Sequence, residues 1–147
     1  MVDVPRFGVI YTAPEPPGGE RMSRPRILVV DDEPAVLGLV ANALSAWGYE
    51  VHAAPGPRQA LEFARREPCF DVLVSDVIMP EMCGPALVRE ISQVCPGAAV
   101  VMMSGYIAAE VLPRGAAFIS KPFRLSDLRS AVAGVLATSV ESMNRAG

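Results

Sequence analysis

Carboxylate, hydroxyl and amine side chains end several apolar runs of this sequence. Within the stretch Phe70–Pro80, FDVLVSDVIMP, the carboxylate of Asp76 interrupts a series of mostly apolar residues. A lone carboxylate at the edge of a core is costly to desolvate, so it needs a compensating partner. Other apolar runs end at Asp31 and Asp32, at Ser104, and at Lys121. These side chains are the candidates for that compensation.

Three carboxylates with a lysine and a hydroxyl favour a magnesium site for phosphoryl chemistry. Carboxylates a few ångströms apart repel one another, and a divalent cation is the usual way to keep them ionised. A small number of hard oxygen ligands favours Mg²⁺, which retains waters and binds phosphates. In phosphoryl transfer, cationic groups neutralise the phosphoryl oxygens while a carboxylate attacks phosphorus. We therefore predict Asp76 as the nucleophile, with Mg²⁺ and Lys121 compensating its charge.

Strand-like and helix-like segments alternate from Arg26 onward. Short apolar runs, as expected for parallel strands buried on both faces, lie at Ile27–Val30, Val51–Ala54, Val72–Val74, Ala98–Met103 and Ala116–Ile119. Helix candidates lie at Pro34–Trp47, Pro57–Arg66, Pro85–Val94 and Ser126–Leu136. Five such repeats predict a doubly wound α/β fold whose ligand crevice lies at the carboxyl ends of the strands. The candidate side chains follow strands and should converge in that crevice.

The length of 147 residues corresponds to one domain with one core. Residues 1–24 contain PEPPGGE and no periodicity, which predicts a flexible Pro/Gly-rich extension, with Met22 as an alternative start. We assign residues 25–140 to the domain and residues 141–147 to a C-terminal tail. Hydrophobic residues make up 51% of the chain and charged residues 20%, which is typical of a compact globule.

Composition also limits the partners and the compartment. A net charge of −3 provides no basic surface, which argues against direct nucleic-acid binding. The sequence has neither a secretory leader nor about 18 consecutive apolar residues, so we expect a cytoplasmic protein without a membrane span. Cys69, Cys83 and Cys95 are widely spaced without a CxxC pair, and we interpret them as reduced thiols with buried structural roles.

Four short motifs occur in a characteristic order: VVDDE, VSDVIMPEMCG, MSGY and KPF. In order and separation they resemble the receiver domain of two-component response regulators, over roughly Arg26 to Ala137. The resemblance implies a flavodoxin-like sheet of five parallel strands, in the order 2-1-3-4-5, with helices on both faces.

The resemblance implies that Asp76 is the phosphoacceptor and a Mg²⁺ ligand. The other implied ligands are Asp32 directly, Asp31 through water, and the main-chain carbonyl of Ile78. The side chains of Ile78 and Tyr106 flank the position of an attacking water without being suited to orient it. We therefore expect a relatively long-lived phosphoryl group on Asp76.

The resemblance also implies a conformational switch. Ser104 is the hydroxyl that moves toward the phosphoryl group, and Phe118 is the aromatic side chain that changes rotamer with it. Lys121 is the phosphate partner, the Lys121–Pro122 peptide bond is cis, and Gly84 ends the loop after the phosphoacceptor.

The segment between the MSGY and KPF motifs departs from the family pattern. It is shorter than in most receivers and leaves room for a short fourth helix at best, ended by Pro113. Cys83 stands where most of the family carries an acid. Because the face built by the fourth helix and fifth strand commonly transmits the signal in this family, the route of output stays open.

The predicted function is that of a phosphorelay receiver. A histidine kinase or a histidine phosphotransfer protein would donate a phosphoryl group to Asp76, and the resulting conformational change would control an unidentified protein partner. We interpret the chain as a signalling module, either free-standing or detached from a hybrid kinase, and expect a monomer or weak homodimer. It would catalyse its own phosphorylation and dephosphorylation without being an enzyme acting on a separate substrate.

Three other classes share features of this pattern. A phosphatase of the haloacid dehalogenase type uses similar chemistry but opens with a DxD motif and places its acid pair last. A flavodoxin has the same topology, but the acidic DDEPAV would repel a flavin phosphate. A phosphorylation-independent binding module with a receiver fold is the remaining alternative.

Overall fold

The computed structural model describes residues 9–11, 24–105, 113 and 115–146. Within these ranges six strands lie at Val9–Tyr11 (β1), Arg26–Val30 (β2), Glu50–Ala54 (β3), Val72–Asp76 (β4), Ala99–Ser104 (β5) and Ala117–Ser120 (β6). The helices of the same ranges lie at Pro34–Ala46 (α1), Pro57–Arg66 (α2), Gly84–Val94 (α3) and Leu125–Ala146 (α4).

All of these strands belong to one sheet, in the order β1-β3-β2-β4-β5-β6. The five strands from β3 to β6 in this order are parallel to their neighbours. Counted from the strand that begins at Arg26, their order is 2-1-3-4-5, which confirms the predicted flavodoxin-like fold. In such a sheet the chain reverses its direction of winding beside the first parallel strand, and ligands bind at the carboxyl ends of the strands there.

The strand β1 adds an antiparallel edge that the sequence analysis did not predict. Its residue Ile10 pairs with His52 of β3, and Tyr11 pairs with Val51. The strand lies within residues 1–24, which we interpreted as a flexible extension. Three residues are too few to show a period of two, and an edge strand is held through its backbone, so composition does not reveal it. The other residues of that extension up to residue 23 lie outside the described ranges.

The sheet separates two apolar cores. Ile27 and Val29 of β2 pack in one cluster with residues of α1 and α4, whereas Leu28 and Val30 pack in a second cluster with residues of α2 and α3. Successive strand residues point to opposite faces, and both faces are covered by helices. The strands therefore appear in the sequence as continuous apolar runs without alternation.

Local signals place the helix ends close to the predicted positions. Proline occupies one of the first two positions of α1, α2 and α3, where its missing amide hydrogen costs no helical hydrogen bond. Gly48 follows α1 with a φ of 98°, a conformation that side chains other than glycine rarely adopt. Helix α2 has the predicted bounds, and α1 ends one residue before the predicted Trp47.

The last helix is longer than predicted. Its first turns bury Leu128, Val132 and Val135 against the sheet, but α4 continues beyond the predicted end at Leu136 and beyond the boundary at residue 140, to Ala146. The additional residues contain neither proline nor glycine, so nothing in them ends a helix.

The predicted short fourth helix falls mainly on residues 106–112, which lie outside the described ranges. No helix of the described chain has the length and apolarity that crossing a membrane requires.

Gly84 begins α3 at a point where the backbone of β4 lies very close. A Cβ atom at this position would collide with the main-chain oxygen of Asp76 and with the terminal methyl group of Met102. Gly134 lies exposed in α4, and a Cβ atom there would meet nothing within 4 Å. Replacing these two glycines by alanine should therefore change the stability of the fold in opposite directions.

We expect Gly84→Ala to lower the free energy of unfolding by about 1–3 kcal/mol, because the added methyl group must displace packed backbone. The control Gly134→Ala should raise it by about 1 kcal/mol or less, because alanine favours the helix. Urea denaturation followed by circular dichroism measures both changes. A Gly84→Ala variant as stable as the wild type would contradict the close contact.

Candidate functional site

The polar side chains predicted from the sequence meet at one edge of the sheet. Asp76 is the last residue of β4 and Ser104 is the last residue of β5, whereas Asp31 and Lys121 directly follow β2 and β6. Because these parallel strands end nearly in register, their terminal residues lie side by side. The side chains that we selected from the sequence motifs therefore lie in the crevice at the carboxyl ends of the strands, where this topology places a ligand.

Three carboxylates form an acidic cluster in this crevice. One carboxylate oxygen from each of Asp31, Asp32 and Asp76 lies within 4.8 Å of the others. Asp31 is fully buried and Asp76 is 6% exposed, whereas Asp32 lies at the exposed side. The cluster is therefore closed toward the core and open toward solvent.

Lys121 supplies a cation to the buried carboxylates. Its Nζ lies 2.8 Å from Oδ2 of Asp31 and 3.3 Å from Oδ2 of Asp76. The backbone fixes the start of this side chain, because the amide of Lys121 donates to the carbonyl of Ser104 at 2.8 Å. Lys121 is also the single lysine of the chain, whose other basic side chains are arginines apart from one histidine. The Lys121–Pro122 peptide bond is cis, as predicted.

Glu33 also contacts Lys121 and was missed by the sequence analysis. Its Oε1 lies 3.2 Å from Nζ of Lys121, and its amide donates to Oδ1 of Asp31 at 2.9 Å. Glutamate at the start of a helix is common, so the residue type alone gives no signal of a site. Its position directly after the acid pair is the one sign that sequence analysis had available.

Burial and charge shift the pKa values of the two central groups. Burial raises the pKa of Asp76, and the neighbouring charge of Asp31 raises it further, while Lys121 opposes both effects. For Lys121, burial acts to lower the pKa, but its hydrogen bond to Asp31 and the charges of Asp31 and Asp76 together raise it. The amine is thus held protonated, and the acid cluster retains an excess of negative charge that favours a cation.

The cluster fits a hard divalent cation. Its donors are carboxylate oxygens, the ligands that Mg²⁺ prefers. Both oxygens of Asp31 already accept a hydrogen bond, from the amide of Glu33 and from Lys121. The role of Asp31 as a ligand through water stays a prediction. Asp32 lies at the solvent side, where a partly hydrated ion would enter. The residues present therefore suit the ion that the sequence implied.

The loop that follows Asp76 is attached to the core on both sides. The amide of Val77 donates to the carbonyl of Met103 at 2.9 Å, and the amide of Gly84 donates to the carbonyl of Val77 at 2.7 Å. The side chain of Val77 is 5% exposed and that of Met79 is 6% exposed, whereas Ile78 between them is 60% exposed. Ile78 therefore lies with its side chain in solvent beside the acid cluster, and its backbone forms a hydrogen bond to the carboxylate of Asp76. The role of its carbonyl as a metal ligand stays a prediction.

The two residues of the predicted switch lie on neighbouring strands. Ser104 is 2% exposed at the end of β5. Phe118 on β6 is partly buried and packs against the core cluster that contains Met102. Met102 is the residue of β5 that lies directly beside Phe118 in the sheet. Their switching role stays a prediction, and Tyr106 lies outside the described residues.

Comparison with known proteins identifies the family. A family model described as "Response regulator receiver domain" matches residues 27–133. Sensor kinase CckA of Brucella abortus is 40% identical over 116 residues, which are 75% of this chain and 12% of the kinase. Response regulator receiver protein CpdR of the same organism is 33% identical over 108 residues, which are 70% of this chain and 89% of that protein. The chain thus spans a small part of the sensor kinase and nearly all of the receiver protein.

A solved structure gives the same result. The receiver domain protein of Methanospirillum hungatei superposes with a TM-score of 0.75 at 31% identity, covering 82% of this chain and 99% of that one. The residues that the family model matches include Asp31, Asp32, Asp76, Ser104 and Lys121 of the acidic crevice. The chain therefore belongs to the family of response regulator receiver domains, which are signalling modules of two-component systems.

Proposed function

We propose that the chain accepts a phosphoryl group on Asp76, in a reaction that requires Mg²⁺, and that it thereby changes conformation to control a protein partner. The donor is a phosphohistidine of a histidine kinase or of a histidine phosphotransfer protein. The observation that carries the proposal is the position of Lys121, whose Nζ lies between the carboxylates of Asp31 and Asp76. The single positive charge of this amine faces two buried carboxylates. The amine also lies where the oxygens of a phosphoryl group on Asp76 would need a cation.

In the transfer step an oxygen of Asp76 forms a bond to phosphorus. The bond between phosphorus and the imidazole nitrogen of the donor breaks, and the imidazole leaves with its electron pair. Asp31, Asp32, Asp76 and the carbonyl of Ile78 would hold Mg²⁺, which when bound neutralises phosphoryl oxygens. Lys121 holds another of these oxygens, exchanging part of its contact with the carboxylates for a contact with the product.

The next two strands, β5 and β6, carry the two residues of the proposed switch. Ser104 lies on the strand beside β4, and we propose that its hydroxyl moves to donate a hydrogen bond to the phosphoryl group. Phe118 then changes rotamer, because the space next to Ser104 changes. The change reaches the surface around β5 and β6, where a protein partner would sense it. The net charge of −3 favours a protein over a nucleic acid as that partner, and we expect a monomer or weak homodimer acting in the cytoplasm.

We expect incubation with acetyl phosphate and Mg²⁺ to add one phosphoryl group to the wild type and none to Asp76→Asn. The amide keeps the shape of the side chain but removes its nucleophilic charge. Intact-protein mass spectrometry measures the adduct, and Asp127→Asn, an exposed position at the start of α4, is the matched control. An unmodified wild type, under conditions that label another receiver, would favour the phosphorylation-independent binding module.

Replacing the single lysine tests its role as the phosphate partner. We expect Lys121→Ala to slow phosphoryl uptake by roughly 10²-fold, because a fixed cation at the phosphoryl oxygens is lost. Lys121→Arg should not restore the rate, since the planar guanidinium is larger than the compact amine that fits between two carboxylates. Rates of adduct formation measure the effect, and Arg129→Lys serves as a control of the same chemical type. Uptake by Lys121→Ala at the wild-type rate would contradict the assignment.

The exposed Ile78 side chain gives a test of phosphoryl lifetime. We expect Ile78→Asn to shorten the lifetime of phosphoryl-Asp76 severalfold, because an amide at this position can orient an attacking water and an alkyl group cannot. Loss of the adduct after removal of the phosphodonor measures the lifetime. Leu39→Asn, which changes an aliphatic side chain that is 49% exposed on α1, is the control. An unchanged lifetime in Ile78→Asn would count against this explanation.

A further inference from the structure

Two cysteines that are distant in the sequence lie together at the end of the sheet opposite the acidic crevice. Cys69 precedes β4 and is exposed, whereas Cys95 follows α3 and is 2% exposed. Cys83 is also exposed, so the expectation of a buried role for every thiol is correct only for Cys95. The spacing of the three cysteines gave no sign of this pairing, because the fold creates it.

Crossed hydrogen bonds define the geometry of the pair. The Sγ of Cys69 donates to the carbonyl of Val94, the residue before Cys95, at 3.5 Å. The Sγ of Cys95 donates to the carbonyl of Phe70, the residue after Cys69, at 3.6 Å. Each thiol therefore reaches the backbone beside the other cysteine, which requires the two side chains to lie against each other.

The two thiols differ in chemistry. Burial, together with a hydrogen bond to the side chain of Cys69, raises the pKa of the Cys95 thiol to about 11. The buried sulfur thus keeps its proton, which it donates to the carbonyl of Phe70. Cys69 is exposed and is therefore the sulfur that an oxidant reaches first, whereas the buried Cys95 beside it is placed to resolve the product.

We propose that Cys69 and Cys95 are a redox-active pair that forms a reversible intramolecular disulfide when the protein meets a peroxide. The Cys69 thiolate attacks a peroxide oxygen, so that a sulfur–oxygen bond forms, the oxygen–oxygen bond breaks and hydroxide leaves. Cys95 then attacks the Cys69 sulfur as its proton is released. The sulfur–sulfur bond forms, the sulfur–oxygen bond breaks, and the second oxygen leaves as water. Two thiols are oxidised by two electrons, and hydrogen peroxide is reduced to two waters.

The disulfide would join the entry of β4 to the end of α3. The segment between the two cysteines contains β4 with Asp76, the loop beyond it and α3. Cross-linking its ends restricts the unfolded chain, and it restricts α3 relative to β4 in the folded protein. The phosphoacceptor lies at the other end of β4, so oxidation leaves the acidic crevice open.

The test uses the full chain and hydrogen peroxide. After treatment, we expect a mass lower by two hydrogen atoms, protection of two thiols from alkylation under denaturing conditions, and reversal by dithiothreitol. Combined digestion with trypsin and a glutamyl endopeptidase separates Cys69 from Cys83 at Glu81, and one linked product should contain Cys69 and Cys95. We also expect the oxidised protein to melt higher than the reduced protein by roughly 5–10 °C.

Two exposed positions supply the variants. Cys83→Ser should retain the linked product and the shift in melting temperature, whereas Cys69→Ser should lose both. Neither change disturbs the core, so both variants are expected to fold. Oxidation of Cys69 without loss of the Cys95 thiol, a dimer linked through Cys69, or a full set of alkylated thiols after oxidation would each overturn the proposal. Phosphoryl uptake by Asp76 is measured separately, so that failure of the disulfide is distinguishable from failure of the proposed function.

Discussion

The balance of charge around Lys121 is the constraint on which the rest of the site depends. Asp31 and Asp76 are almost completely removed from water, and two buried carboxylates without a cation would repel each other at a high cost in free energy. The amine that compensates them comes from the end of a strand on the far side of the sheet. Only a topology that ends β2, β4 and β6 at the same edge brings these three groups together. The buried carboxylates therefore depend on the strand order, because that order brings the compensating amine to them.

The loop after Asp76 explains why apolar residues surround an acid in FDVLVSDVIMP. The strand before Asp76 is buried on both faces, which accounts for the residues that precede it. Val77 and Met79 return to the core, whereas Ile78 and Pro80 are exposed, which accounts for those that follow. The close approach of the α3 backbone at Gly84 completes this attachment. The carboxylate of Asp76, the proposed phosphoacceptor, thus stands on a part of the backbone that is attached on both sides, and its surroundings can change mainly through side chains.

The sequence was sufficient for the parallel sheet and for the convergence of its polar side chains, because both follow from local patterns. Each strand is a short apolar run, each helix has its own periodicity, and parallel strands carry their terminal residues to a common edge. It was insufficient where structure depends on contacts between distant segments. Strand β1 is held by pairing with β3, and the crossed contacts of Cys69 and Cys95 arise only when α3 has packed. Glu33 has a residue type that is ordinary at a helix start, and only the fold brings Lys121 beside it.

The presence of the chain's single lysine in the acidic crevice has a consequence for measurement. An amine-selective acylating reagent can modify only one side chain of this chain, and that side chain is at the proposed phosphoryl site. Reaction needs the neutral amine, and the neighbouring carboxylates hold the amine protonated. The rate of acylation therefore reports the electrostatic state of the crevice, and protection from the reagent would measure occupancy by any anion or cation that enters it. Lys121 can therefore serve as an intrinsic probe of the position where the phosphoryl chemistry is proposed to occur.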